Sequence, residues 1–130
     1  LFLISQLIFL TLIEGRYFNM ADEALTKKYL TLLKKKKSET IRKKYLWSTI
    51  EDQLAICEAC KQYANDDSRN LVIMLLESLD EEVVFAAVDA LGEIGTDHIK
   101  ARLQIMYNTT ANEKLKAEVH KTLSKIGSRS

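Results

Sequence analysis

The chain contains no proline and only four glycines among its 130 residues. A turn-rich β-protein needs both residue types, because they supply the backbone angles of tight turns. Their scarcity instead favours long helices joined by short connections. The two cysteines are too few for a disulfide framework, so the composition does not require an oxidising compartment. At this length we expect one domain, in an intracellular, cytoplasmic protein.

The net charge of +1 conceals three segments of different charge. Between Lys27 and Lys44 there are nine Lys or Arg residues and one acid. Between Glu51 and Asp97 there are twelve acids and two bases, and after His98 there are seven bases and two acids. The sequence is therefore basic, then acidic, then basic along its length.

The first nineteen residues differ in composition from the rest. Thirteen mostly apolar residues precede Glu14 and Arg16, and this run is too short to span a bilayer comfortably. No initiating Met, basic segment or small-residue cleavage site accompanies it. We interpret residues 1–19 as an apolar leader: upstream or artefactual sequence, a clipped signal peptide, or an authentic helix that caps the fold. The single helical domain is expected over residues 20–130.

Apolar residues in the rest of the chain have helical spacing. A first helix is expected over residues 22–36, capped by its first residue, and Ser38 is expected to cap a second. Ser48 and Glu51 form a capping-box pattern, which predicts a third helix from there to about residue 63. We expect a polar turn over residues 65–70 and a short, very apolar helix over 71–79.

Cys57 and Cys60 form a C-x-x-C pair, a spacing found in redox dithiols and in zinc sites. The pair lies in the middle of a predicted helix, whereas a thioredoxin-type pair lies at a helix N-terminus after a strand. Zinc needs four ligands, and the only other candidates, His98 and His120, are far away in sequence. Both cysteines fall on or beside the apolar stripe of the helix, so we expect small buried hydrophobic residues. A redox sensor and a metal site are the alternatives.

The segment DEEVVFAAVDALGEIG, over residues 80–95, carries a resemblance to a known repeat. Its inward face is expected to consist of Val83, Ala86, Ala87, Ala90 and Ile94. Small residues on that face let helices approach closely, Gly92 is expected to relieve a tight contact, and Gly95 to form a left-handed C′ cap. The segment resembles the second helix of a HEAT-like repeat, of the kind found in relatives of phycobilin lyases.

A second copy of the pattern lies 32 residues later, over residues 112–127. Its inward residues are expected to be Leu115, Val119, Leu123 and Ile126, with Gly127 in the place of the earlier terminal glycine. A first helix over 97–107 precedes it, with Ile99, Leu103 and Met106 inward. A period near 30 residues is typical of stacked helix hairpins. The resemblance implies an all-α fold, a short α-solenoid of antiparallel helix hairpins, and leaves open whether residues 22–64 form a degenerate repeat or an unrelated cap.

A HEAT-like fold implies a protein-interaction module or scaffold that binds another protein. In such arrays the second helices line the concave surface. The resemblance therefore places partner-binding residues there, namely Phe85, Asp89, Glu93, Lys116 and Lys121. Phe85 is expected to be an exposed aromatic contact, with a lone surface aromatic or one covered by the N-terminal segment as alternatives.

The alternative function is nucleic-acid binding by the basic N-terminal helices. A dense basic patch neutralises phosphates, and Tyr45 and Trp47 lie nearby. The patch consists of Lys27, Lys28, Lys34, Lys35, Lys36, Lys37, Arg42, Lys43 and Lys44. Two other interpretations remain open, namely a solvated helix face and a surface that binds the acidic stretch of a second copy.

Nothing in the sequence points to an enzyme. Relatives of the repeat include chromophore lyases and an iron-dependent hydroxylase, but the His-Glu pair that the hydroxylase implies does not occur here. No Ser/His/Asp set, phosphate-binding loop or carboxylate pair beside a histidine stands out. We therefore expect no catalytic residue, no cofactor, no metal and no membrane span.

Overall fold

The computed structural model describes residues 23–129. Within them the chain forms seven α-helices and a 3-10 turn over residues 97–99, with no strand, so the all-α prediction is confirmed. The helices are α1 (Glu23–Lys34), α2 (Ser38–Lys44), α3 (Ile50–Gln62), α4 (Asp66–Leu75), α5 (Glu81–Ile94), α6 (Lys100–Thr109) and α7 (Glu113–Arg129). The predicted leader over 1–19 and the cap at residue 22 lie outside the described residues.

Four helices form a row, in which α1 packs on α3, α3 on α5, and α5 on α7. The direction of α5 and α7 follows from their contacts. Thr122 donates a hydrogen bond of 3.0 Å to the carbonyl of Val88, and further along both helices Arg129 donates to the carbonyl of Gly92. The contact points advance together along the two helices, so α5 and α7 are parallel.

The same reasoning applies to α3 and α5. Ser78, just before α5, donates to the side chain of Gln53 near the start of α3. Near the other end of α3, Lys61 bonds to Asp89 of α5. These two helices are therefore also parallel, and α3, α5 and α7 all run in one direction.

The remaining helices connect the members of the row. α4 packs against both α3 and α5, α6 packs against α7, and α2 packs against α1 and α4. Arg69, near the start of α4, donates to the carbonyl of Ile94 at the end of α5 over 2.8 Å. The start of one helix thus lies beside the end of the next, so α4 and α5 form an antiparallel hairpin.

The apolar core is continuous along the row. Four of the five residues predicted to face inward on α5 are buried, and Ala86 is half-buried. On α7, Leu115, Val119 and Ile126 are buried as expected, whereas Leu123 is half-buried. Apolar burial of this kind is the main favourable contribution to folding, at roughly 25 cal/mol per Å².

Two predicted helix starts are wrong. Residues 66–70 form the first turn of α4 rather than a polar turn, because the Asn65 side chain caps that helix by accepting from the Ser68 amide at 2.8 Å. Helix α3 is capped by Thr49 and not by Ser48, since the Thr49 hydroxyl accepts from the Asp52 amide at 3.0 Å. Asp, Asn and Ser favour both turns and helix starts, so sequence alone does not separate the two.

Other helix termini also differ from the predictions. The cap position of α2 is occupied by Lys37, without a side-chain hydrogen bond, and Ser38 is the first helical residue. Gly95 has φ −68°, so it is not a left-handed cap. Gly127 does not end a helix, because α7 continues through it to Arg129.

Close neighbours explain why glycine occupies positions 92 and 95. A Cβ on Gly92 would lie 3.3 Å from both the Thr122 hydroxyl and a Lys125 side-chain carbon, which confirms the tight contact predicted there. A Cβ on Gly95 would lie 2.4 Å from the carbonyl oxygen of Leu91 and 3.1 Å from Ile126. Gly95 is therefore required for space and not for a special backbone angle.

We expect Gly95→Ala to lower the free energy of unfolding by roughly 1–3 kcal/mol, as overpacking does. Gly127→Ala is the matched control, since nothing lies within 4 Å of the added Cβ. Alanine there should be neutral or stabilising by up to about 1 kcal/mol, through its higher helix propensity. Urea denaturation of both variants measures the difference, and equal losses of stability would contradict the steric account.

Candidate functional site

Charged side chains from three helices lie on the solvent side of the parallel row. On α5, Phe85, Asp89 and Glu93 are spaced by four residues and therefore share one side of the helix. On α7, Lys121 and Lys125 share a side in the same way. We call this the α3–α5–α7 surface, consisting of Glu58, Lys61, Phe85, Asp89, Glu93, Lys121 and Lys125.

Ion pairs connect the three helices across this surface. The Lys61 amine lies 3.1 Å from the Asp89 carboxylate, and the Lys125 amine lies 3.2 Å from that of Glu93. Burial alone would lower the pKa of Lys61, but the hydrogen bond and the charge of Asp89 outweigh it and raise that pKa. All four side chains stay partly exposed, between 26% and 52%. Asp89 and Glu93 thus bridge helices while remaining accessible to a partner.

The structure does not bring all five predicted partner-binding residues together. Phe85 is half-buried and packs against the core, so it is not the exposed aromatic that was expected. Lys116 lies on the other side of α7, where its amine is 5.1 Å from the ring centre of Tyr107 on α6. Lys121 is exposed. The α3–α5–α7 surface therefore unites Phe85, Asp89, Glu93 and Lys121 and excludes Lys116.

The predicted basic patch forms a second surface on α1, α2 and the turn between them. Every one of its side chains is exposed. We call it the α1–α2 basic surface: Lys27, Lys28, Lys34, Lys35, Lys36, Lys37, Arg42, Lys43 and Lys44. The buried residues of α1, Thr26, Tyr29 and Leu33, occupy the opposite side of that helix.

A cation–π contact joins the two halves of the α1–α2 basic surface. The Lys28 amine lies 4.0 Å from the ring centre of Tyr45, which directly follows α2. Trp47 comes two residues later and is 53% exposed. Since consecutive Cα atoms are about 3.8 Å apart, the Trp47 backbone lies within about 11 Å of that of Lys44. Trp47 thus adds an exposed aromatic side chain within three residues of the basic end of α2.

The turn between α1 and α2 has an unusual backbone. The Lys37 amide donates to the carbonyl of Leu32 and the Lys36 amide to that of Leu33, at 2.9 and 3.0 Å, which is a Schellman motif. Its left-handed position, with φ 60°, is Lys36, where glycine is usual. A non-glycine residue there costs on the order of 1 kcal/mol. Sequence reasoning missed this turn, because four consecutive lysines contain no turn signal.

A polar cluster around Asp52 connects α1 to the start of α3. The buried Tyr29 hydroxyl donates a hydrogen bond to the Asp52 carboxylate. The hydroxyls of Ser48 and Thr49 also donate to this carboxylate, and each of these two bonds is 2.8 Å long. Partial burial would raise the pKa of Asp52, but these hydrogen bonds and the charge of Lys28 lower it overall. Burial and the neighbouring carboxylate raise the pKa of Tyr29. The cluster is a structural link between helices that sequence spacing did not reveal.

Asp52→Asn should reduce the free energy of unfolding at neutral pH by roughly 1–3 kcal/mol, because three hydroxyls lose a charged acceptor. The folded pKa of Asp52 is lowered. Its contribution is therefore complete above the ordinary Asp pKa, about 3.9, and is lost as the pH falls through the folded value. Urea denaturation at a series of pH values, from neutral into this acid range, measures the free energy of unfolding. It should fall less steeply with decreasing pH in Asp52→Asn than in the wild type. Glu51→Gln, at an exposed position of the same helix, is the control, and identical pH slopes for wild type and Asp52→Asn would contradict the role of Asp52.

The cysteine pair is buried, as predicted. Cys57 and Cys60 are 2% and 0% exposed, and neither forms a disulfide. Burial raises the pKa of the Cys60 thiol to about 12, against a smaller opposing effect of Ser68, and burial also raises that of Cys57. Protonated, inaccessible thiols are poor nucleophiles and poor metal ligands.

The described part of the chain lacks two further kinds of feature. No group of three or more His, Cys, Asp or Glu side chains there is arranged to hold a metal ion. No helix within residues 23–129 is both long and apolar enough to cross a membrane. His98 and His120 are both exposed.

Comparisons with protein-family models, with curated proteins and with solved structures found no match to this chain. The HEAT-like resemblance therefore rests on the residues of the chain itself. The two surfaces and the arrangement of the helices are the features of the chain that bear on its function.

Proposed function

We propose that the chain is a non-catalytic protein-interaction module of the HEAT-like type, a short α-solenoid with the hairpins α4–α5 and α6–α7. The observation that carries the proposal is the parallel course of α3, α5 and α7. In a solenoid of helix hairpins, the second helices of successive repeats lie side by side and parallel, because one antiparallel helix connects each to the next. An ordinary up-and-down bundle places antiparallel helices side by side instead.

The contact between α5 and α7 supports the same proposal. Gly92 of α5 is buried, and Thr122 of α7 packs where Gly92 has no side chain. Small residues at such positions let two helices approach closely without clashes. The HEAT-like resemblance likewise implies a tight contact at Gly92.

The α3–α5–α7 surface is the proposed docking site for a partner protein. Its acidic residues Asp89 and Glu93 alternate with Lys61 and Lys125, and Lys121 adds a charge outside these pairs. Mixed charges of this kind select partners by electrostatic complementarity more than they add affinity. The exposed part of Phe85 adds an apolar contact beside them. Buried thiols and the lack of a catalytic set in the sequence support a binding role without chemistry.

Two charge-reversal variants of α7, one on the docking side of the helix and one on the side facing α6, test this docking site. Tagged full-length chain is used to isolate partners from cells of its native host, and bound proteins are quantified by mass spectrometry. Lys121→Glu should weaken capture of a specific partner at least about tenfold, by placing a like charge in the interface. Lys116→Glu carries the same charge change on the side facing α6 and should leave capture unchanged. A partner lost equally with both variants, or with neither, would contradict the proposed surface.

A further inference from the structure

Most side chains of the α1–α2 basic surface make no contact that holds the described fold together. Among the residues that the structure describes, Arg42 is the one member of the surface with an ion pair, formed with Glu39. Lys28 contacts aromatic rings, and the remaining cations extend from exposed positions. Within residues 23–129 the surface therefore concentrates positive charge, with an ion pair to Glu39 and the effect of Lys28 on the Asp52 carboxylate as its interactions with acids.

Helix dipoles account for only part of this arrangement. Cations are favoured in the last turn of a helix, which fits Lys34 of α1 and the basic end of α2. Lys27 and Lys28 lie in the first half of α1, where the dipole offers no such benefit. Lys36 occupies a left-handed position that glycine would adopt without strain. A lysine at this strained position points to a use for its side chain outside the fold.

The exposed Trp47 specifies the kind of anion. An acidic protein segment would pair with the lysines but would have no particular need for a flat aromatic ring. A nucleic acid strand offers phosphates to the lysines and bases to the ring, and stacking of a base on an aromatic side chain tolerates any sequence. Stacking needs an unpaired base, so a single strand fits this surface better than a duplex. Lysine predominates over arginine, which suits sequence-independent phosphate contacts.

We propose that the α1–α2 basic surface binds single-stranded nucleic acid, with its lysines on phosphates and Trp47 stacked on a base. The Lys28–Tyr45 contact holds α1 against the end of α2, so that the cations of both helices face one strand. This surface lies on α1 and α2, apart from the α3–α5–α7 surface. The proposal therefore does not depend on the protein-binding function proposed above.

Fluorescence anisotropy with the full-length chain tests the proposal, using labelled oligo(dT) and oligo(U) of about 15 nucleotides, a length that matches single-strand binding sites. Binding should fall at least about tenfold between about 50 and 200 mM salt, because phosphate contacts release counterions. Trp47→Ala should weaken binding about tenfold, and Trp47→Phe should restore most of the loss.

Lys36→Gly separates binding from folding. The variant should weaken oligonucleotide binding and reduce its salt dependence, while raising the thermal unfolding midpoint by relieving the left-handed lysine. Lys114→Gln removes one exposed charge from α7, at the other end of the row, and should change neither quantity. Absence of binding at low salt, or unchanged binding in both Trp47→Ala and Lys36→Gly, would overturn the proposal. Competition by polyglutamate as effective as competition by unlabelled oligonucleotide would also overturn it, in favour of an acidic protein.

Discussion

The C-terminal half of the row depends on the close approach of α5 and α7 at Gly92. No side chain larger than that of glycine fits between the helices there without displacing Thr122 or Lys125. The approach lets the buried Thr122 hydroxyl reach the Val88 carbonyl at 3.0 Å, which satisfies a polar group that would otherwise be costly to bury. Arg129 reaches the carbonyls of Gly92 and Gly95 at 2.5 and 2.7 Å, which places positive charge at the C-terminal end of α5.

Each neighbouring pair of helices in the row combines apolar burial with a different polar contact. Tyr29 and Asp52 link α1 to α3, the ion pair of Lys61 links α3 to α5, and that of Lys125 links α5 to α7. Exposed ion pairs contribute little stability, typically below about 1 kcal/mol, so burial supplies most of the energy. The polar contacts instead fix which residues of adjacent helices lie opposite one another, and this sets the charge pattern of the α3–α5–α7 surface.

Sequence reasoning succeeded where the signal was local or periodic. The apolar stripes of α5 and α7, the burial of the cysteines and the membership of the α1–α2 basic surface all follow from spacing along one segment. Gly127 was misjudged because it repeats the motif position of Gly95, although only Gly95 has close neighbours. The start of α4 was misjudged because its polar residues suit a turn and a helix cap equally.

The geometry of the candidate surfaces could not be predicted from the sequence, because it depends on contacts between residues that are far apart along the chain. Lys61 and Asp89 are 28 residues apart, Glu93 and Lys125 are 32 apart, and no local pattern predicts either pair. Lys116 was grouped with Lys121 because they share a helix, but the 140° between them, at 100° per residue, places them on different sides. The half-buried state of Phe85 likewise depends on how closely neighbouring helices pack around it.

If the fold is the proposed solenoid, its stability should be distributed locally along the row of helices. Each hairpin would bury its apolar side only against its neighbours, so damage at one end should stay near that end. Val119→Ala leaves a cavity at a fully buried position of α7. Hydrogen exchange measured by mass spectrometry should then accelerate in α6, α7 and the adjoining part of α5, and remain unchanged in α1, α2 and α3. Leu33→Ala, at the other end of the row, should instead accelerate exchange in α1, α2 and α3 and leave α6 and α7 unchanged. Uniform acceleration of exchange along the whole chain in both variants would contradict a solenoid.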